Sequence, residues 1–133
     1  MEPVRVSSHK TSKFNANKIY GNANKRHMLS LIHQNFQCLS NKIDELEILL
    51  SDELQDLDIL CCTEHWLSET KINSYQILNF NLSSCFCRTA HKNGGSAIYV
   101  KKELSHKQKS QTYYLNQEKT FEHVVTEIKN QNF

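Results

Sequence analysis

The chain has 133 residues, 38% of them hydrophobic, with three glycines, one proline and a formal charge of +2. That length holds one domain at most, with a real core but little room for a complete α/β enzyme. So few Gly and Pro exclude a loop-built or collagen-like chain, no apolar run approaches a membrane span, and no signal-peptide core follows Met1.

The small net charge hides an asymmetry. Residues 1–27 carry six basic residues (Arg5, Lys10, Lys13, Lys18, Lys25, Arg26) against Glu2, whereas residues 28–133 carry ten basic and thirteen acidic residues. The first segment also holds four Asn, several Ser and no apolar periodicity, and reads as a disordered basic arm able to touch nucleic-acid phosphates. The five cysteines, Cys38, Cys61, Cys62, Cys85 and Cys87, are odd in number and lack the paired spacing of a structural zinc site. They are expected to be reduced, mostly buried thiols of an intracellular protein.

Residues 28–34 read as a first strand, ending at Asn35. Residues 36–40 form a connector to a helix that Ser40 or Asn41 can cap, with Asp44 and Glu45 in its first turn, where the dipole favours negative charge. Ile43, Leu46, Leu49, Leu50 and Leu54 make its apolar stripe. Ile59, Leu60, Cys61, Cys62 and Thr63 then form a short uncharged run, suited to a strand buried on both faces, and it ends abruptly at Glu64, His65 and Trp66. Strand, helix and strand here make one βαβ unit with parallel strands. Both strands therefore end at the same sheet edge, which brings Asn35 and Glu64 together. Ligands of α/β sheets bind at such edges, and an amide beside a carboxylate suits Mg²⁺ or Mn²⁺ rather than zinc.

A polar stretch, residues 68–71, follows, and residues 75–78 are weakly strand-like. Residues 80–86 and 96–100 flank a loop containing Gly94 and Gly95 and read as an antiparallel hairpin. Residues 101–117 read as a long loop. Residues 121–129 alternate as a last strand, with Val124 and Ile128 inward and Phe121 and Val125 partly covered.

The order of these pieces resembles the opening of the endonuclease/exonuclease/phosphatase superfamily, and is most like the apurinic-type endonuclease domain of non-LTR retrotransposons. The similarity lies in His33-Gln34-Asn35, residues 39–46, the run from Asp58 through Thr63-Glu64-His65-Trp66-Leu67, then Phe86-Cys87-Arg88, Gly94-Gly95-Ser96-Ala97-Ile98-Tyr99-Val100-Lys101 and Phe121-Glu122. It spans roughly residues 28–129. The resemblance implies a four-layer α/β/β/α sandwich and Mg²⁺-dependent (or Mn²⁺-dependent) cleavage of a DNA phosphodiester. It gives Asn35 a role in fixing metal and phosphate, and Glu64 the role of metal ligand.

Two departures follow from the same resemblance. Gln37 stands where the family often carries Asp or Arg, and the family's later motifs, Asp-x-Asn and Ser-Asp-His, are absent from the sequence. His91, His106 and His123 lie in a hairpin loop, a long loop and an early strand, and read as ordinary histidines. Residues 28–133 are thus expected to be a truncated endonuclease domain, inactive alone. A non-catalytic nucleic-acid-binding or interaction module is the alternative. Without a second half, Leu60, Cys62, Ile98 and Val100 are expected to lie on an uncovered sheet that invites self-association.

Overall fold

The computed structural model describes residues 5–8, 15–20, 29–109 and 113–129. It is a mixed α/β structure built on four strands: β3 (Ser30–Asn35), β4 (Ile59–Thr63), β5 (Phe80–Phe86) and β6 (Ser96–Lys101). Their spatial order is β3-β4-β6-β5, with β3 and β4 parallel and the other pairs antiparallel. Ahead of them, β1 (Arg5–Ser8) and β2 (Asn15–Tyr20) pair antiparallel with each other, and β2 pairs with β3.

Those two strands fall within residues 1–27, the segment expected to be a disordered basic arm, the rest of which lies outside the described residues. The physical reason for their pairing is the edge of β3, whose outward N–H and C=O groups are a template for pairing. Asn17, Lys18, Ile19 and Tyr20 stand opposite His33, Ile32, Leu31 and Ser30 and satisfy that edge.

Two helices, α1 (Ile43–Asp52) and α2 (Glu69–Ser74), contribute to one core on one face of the sheet. On α1, Leu46 and Leu50 are buried and Ile43 and Leu49 partly so, whereas Ile48 points to water. They meet Ile32, Phe36 and Leu60 from β3, its exit and β4. Asp44 and Glu45 do occupy the first turn, but the capping position falls on Lys42, whose side chain makes no cap bond. A single 3-10 turn, Leu39–Asn41, displaces Ser40 and Asn41 from the cap. Residues 69–74 are a helix where only polar turn residues were legible: Ser68 Oγ accepts the Lys71 N–H, and Ile72 is its one buried residue.

On β5 the alternation changes face midway. Leu82 opposes Tyr99, but a bulge at Ser83 puts Ser84 opposite Ile98 and Phe86 opposite Ser96, away from the helices. Ser83 and Ser84 both hydrogen-bond to Thr126 Oγ1, at 2.9 and 2.7 Å, and the Phe86 and Tyr113 rings lie 5.9 Å apart. A second small sheet, β7 (His106–Gln108) with β8 (Thr126–Ile128), is anchored there. The last strand is therefore three residues rather than nine. Val124 and Ile128 are half-buried, and Phe121 and Val125 are exposed.

The uncovered sheet expected at four residues is also corrected. Leu60 and Cys62 face the helices and are buried, Val100 is fully buried, and only Ile98 is half-exposed. No helix among the described residues is long and apolar enough to cross a membrane. All five cysteines are free thiols.

Among the described residues the buried Tyr99 hydroxyl, like Gln34 Oε1, has no hydrogen-bond partner. Tyr99 is 1% exposed, its hydroxyl makes no hydrogen bond, and burial pushes its pKa well up. An unpaired buried hydroxyl costs about 1–3 kcal/mol of desolvation. Tyr99→Phe is therefore expected to raise the urea midpoint, by about 1 kcal/mol in stability, with an unchanged slope; a loss of stability would show that the hydroxyl is paired in solution.

Candidate metal and phosphate corner

The corner begins with register. At the start of the parallel pair, Asp58 Oδ2 accepts the Ser30 N–H at 2.8 Å, Ser30 Oγ donates to Asp56 O at 2.6 Å, and the Asp58 N–H returns to Ser30 O at 3.1 Å. This latch sets Leu31 opposite Ile59 and, at the far end, Asn35 opposite Thr63. A one-residue slip would turn Ile32 and Gln34 out of the core. Beyond the strands the pairing continues in the backbone: Phe36 N–H to Thr63 O, Cys38 N–H to Glu64 O and Leu39 N–H to His65 O, at 2.9–3.1 Å.

Asn35 and Glu64 are thus brought to one sheet edge, as the βαβ reading requires. Asn35 is exposed on the face away from α1, with His33, whose Nε2 lies 3.2 Å from Thr63 Oγ1. Glu64 is half-buried, and its Oε2 accepts the Trp66 indole N–H at 2.8 Å. The remaining oxygen accepts no hydrogen bond from the described residues. Four non-glycine residues of this rim have left-handed backbone: Gln37, Cys38, Glu64 and Trp66. Each costs of order 1–3 kcal/mol, and such strain concentrates at functional sites.

His65, which follows Glu64 at the end of β4, is not part of the open corner. It is fully buried; its Nδ1 accepts the Leu67 N–H at 3.0 Å, so Nε2 carries the proton and donates to Phe86 O at 2.9 Å. Burial lowers its pKa and outweighs the opposing hydrogen bonds and the nearby Glu122 and Glu64. His65 is a neutral bracket tying the end of β4 to the end of β5.

Gly95 makes that bracket possible. With φ of +90°, an added Cβ would sit 2.3 Å from His65 Nε2; at Gly94 it would meet the Arg88 guanidinium. The same loop is gripped from outside by two carboxylates. Glu122 accepts from Arg88 Nε, from Gly95 N at 3.1 Å and from Lys119 N at 2.8 Å. Burial raises its pKa, but the Lys119, Arg88 and Gly95 donors win and hold it below the ordinary range. Glu118 accepts from the Thr89 and Ala90 N–H groups and pairs with His91 at 2.6 Å; against a desolvation that raises it, those donors pull its pKa to about 2.

The other histidines lie elsewhere. His91 belongs to the Glu118 clamp, His106 Nδ1 lies 2.8 Å from Ser83 Oγ, and His123 stacks on Phe121 with ring centroids 4.8 Å apart. Gln37 is exposed, and no group of three or more His, Cys, Asp or Glu side chains placed to hold a metal occurs among the described residues. The protein oxygens fit a hydrated Mg²⁺ held by one or two side chains, not a closed cage. A groove of about 990 Å³ between α2 and β5, lined by Glu69, Cys85, Cys87, Arg88 and Tyr113 among others, includes neither Asn35 nor Glu64.

Sequence reasoning missed His33, the Glu118 and Glu122 clamps and the bracketing role of His65. The paired glycines were the available signal, since a glycine beside a strand often marks close approach of another group. Gly95→Ala is expected to destabilise by about 2–5 kcal/mol, combining left-handed strain with overpacking against a ring that cannot retreat. A urea melt showing less than about 0.5 kcal/mol of change would show that the bracket is loose. The chain matches no family model, no curated protein and no solved structure.

Proposed function

We propose that this chain carries the metal- and phosphate-positioning half of a Mg²⁺-dependent DNA endonuclease. The parent architecture is the four-layer sandwich of the endonuclease/exonuclease/phosphatase superfamily, in the apurinic-type branch found in non-LTR retrotransposons. The observation that carries the reading is the juxtaposition of Asn35 with the Thr63–Glu64 strand end, in the order of motifs that first suggested the family. The strain gathered at that rim is a second support.

Bound there, Mg²⁺ (or Mn²⁺) would stabilise charge developing on the scissile phosphate and the departing 3′ oxygen. Glu64 would supply the carboxylate oxygen for the ion, held in orientation by the Trp66 N–H. Asn35 would donate its amide to a phosphate oxygen. Neither side chain can deprotonate the attacking water while Glu64 serves as ligand. His91, His106 and His123 are engaged elsewhere. The corner's own histidine, His33, has its Nε2 taken up by Thr63 Oγ1 at 3.2 Å, so among the described residues the corner lacks a free general base, and these residues bind without cutting.

Two assays on the full chain test this. Mg²⁺ is expected to increase retention of duplex DNA, and Glu64→Ala is expected to abolish the increase. Asn35→Ala should weaken Mg²⁺-dependent binding about 10- to 100-fold, the scale of one hydrogen bond to a charged group. Plasmid nicking should equal the Glu64→Ala background. Mg²⁺-independent retention would favour the non-catalytic binding module resting on the basic residues before position 28, while strong Glu64-dependent nicking would show that a base is present.

A further inference from the structure

Trp66 is 40% exposed, an unusual place for so large an apolar ring, and it is the chain's sole tryptophan. Other aromatic side chains, such as Tyr114 and Phe121, are exposed too. Trp66 differs in being held at the Asn35–Glu64 corner. Its backbone is left-handed, with φ of 60°, its N–H donates to Gly94 O at 2.9 Å, and its indole N–H is tied to Glu64 Oε2. Strain of this kind is retained when surrounding contacts over-determine it. What they determine here is an aromatic surface, half open to water, with its only polar atom turned to the candidate metal ligand. Lys92 and Asn93, both exposed, immediately precede Gly94 in the loop that receives the Trp66 N–H.

We propose that the Trp66 indole is a stacking platform for a nucleobase of the strand whose phosphate occupies the Asn35–Glu64 corner. The proposal rests on the endonuclease reading for the identity of its ligand. A flat aromatic face accepts any base, because every base has a π face. A basic residue in the loop that Trp66 is bonded to suits the flanking phosphate. The indole N–H, spent on Glu64, leaves the ring face as the contact, so the platform reads the presence of a base rather than its identity.

Because Trp66 is the sole tryptophan, its fluorescence reports contact directly. The full chain is titrated, with Mg²⁺ present, with a short oligothymidylate and with an abasic strand of equal length. The wild type is expected to bind the base-bearing strand about 5- to 150-fold more tightly, as loss of one stacked base implies, with a change in indole emission absent for the abasic strand. Trp66→Gly suits the left-handed backbone and should fold normally, yet bind both strands equally. Trp66→Phe should keep part of the preference. Equal wild-type affinities with unchanged emission would overturn the platform, and Glu64-dependent retention of both strands would then leave the metal corner standing. A base preference in Glu64→Ala together with an undiminished Mg²⁺-dependent increase in affinity would support the platform while removing the metal reading.

Discussion

The parallel pairing of β3 with β4 in a single register is the constraint on which the rest of this structure depends. It is enforced at both ends. Ser30 and Asp58 lock the start through a side-chain and main-chain exchange, and the backbone bonds of Phe36, Cys38 and Leu39 carry the pairing past the strands. Between them, Ile32, Leu60 and Cys62 are buried against α1. Each large apolar side chain buried there stabilises by about 1.5–3 kcal/mol, so a slip that exposed them would cost more than any hydrogen bond it gained. Asn35 stands beside Glu64 because the core permits no other pairing.

The rim is built on the opposite logic. Left-handed backbone at Gln37, Cys38, Glu64 and Trp66 costs roughly as much per residue as burying one large side chain returns. That strain is held in place by neighbours with little freedom. His65, neutral and buried, bridges Leu67 N and Phe86 O across the strand ends, and Gly95 lets the loop backbone lie against its ring. Glu122 then ties Arg88 and Gly95 to the 117–121 turn through charge-assisted bonds, which are about twice as strong as neutral ones. Carboxylate, ring and glycine act as one clamp. Its effect is to present Glu64 and Trp66 outward from a rigid frame, and a site that must hold an ion or a phosphate needs that preorganisation.

Much of this was legible in the chain. Ile59–Thr63 is a strand with the expected bounds because a short uncharged run bordered by charge has few other solutions. The stripe of α1 and the hairpin around Gly94 and Gly95 follow from periodicity and turn chemistry in the same way. What was not legible depends on contacts distant in sequence. Lys42 rather than Ser40 or Asn41 takes the capping position of α1, because backbone bonds to the end of β4 hold residues 36–39 first. Helix α2 has one buried residue, too few for a period. The bulge at Ser83 reverses the faces of β5 without any glycine to announce it. The strands at Arg5–Ser8 and Asn15–Tyr20 owe their pairing to the edge of β3, not to an apolar pattern of their own. That Asn35 and Glu64 share one sheet edge follows from topology, whereas the burial of His65 follows from Phe86 and Gly95, which only the folded hairpin brings near.

The proposal that most needs a direct test is that a divalent cation binds at the Asn35–Glu64 edge. Manganese titration followed by paramagnetic broadening of backbone amide signals tests it directly, since the effect falls steeply with distance from the ion. The account predicts that the amides of residues 35–38 and 64–66 broaden first, and that Glu64→Ala abolishes their broadening. Broadening centred on the acidic outer face of α1, at Asp44, Glu45 and Glu47, or on the Glu118–Glu122 clamp, and unaffected by Glu64→Ala, would contradict it.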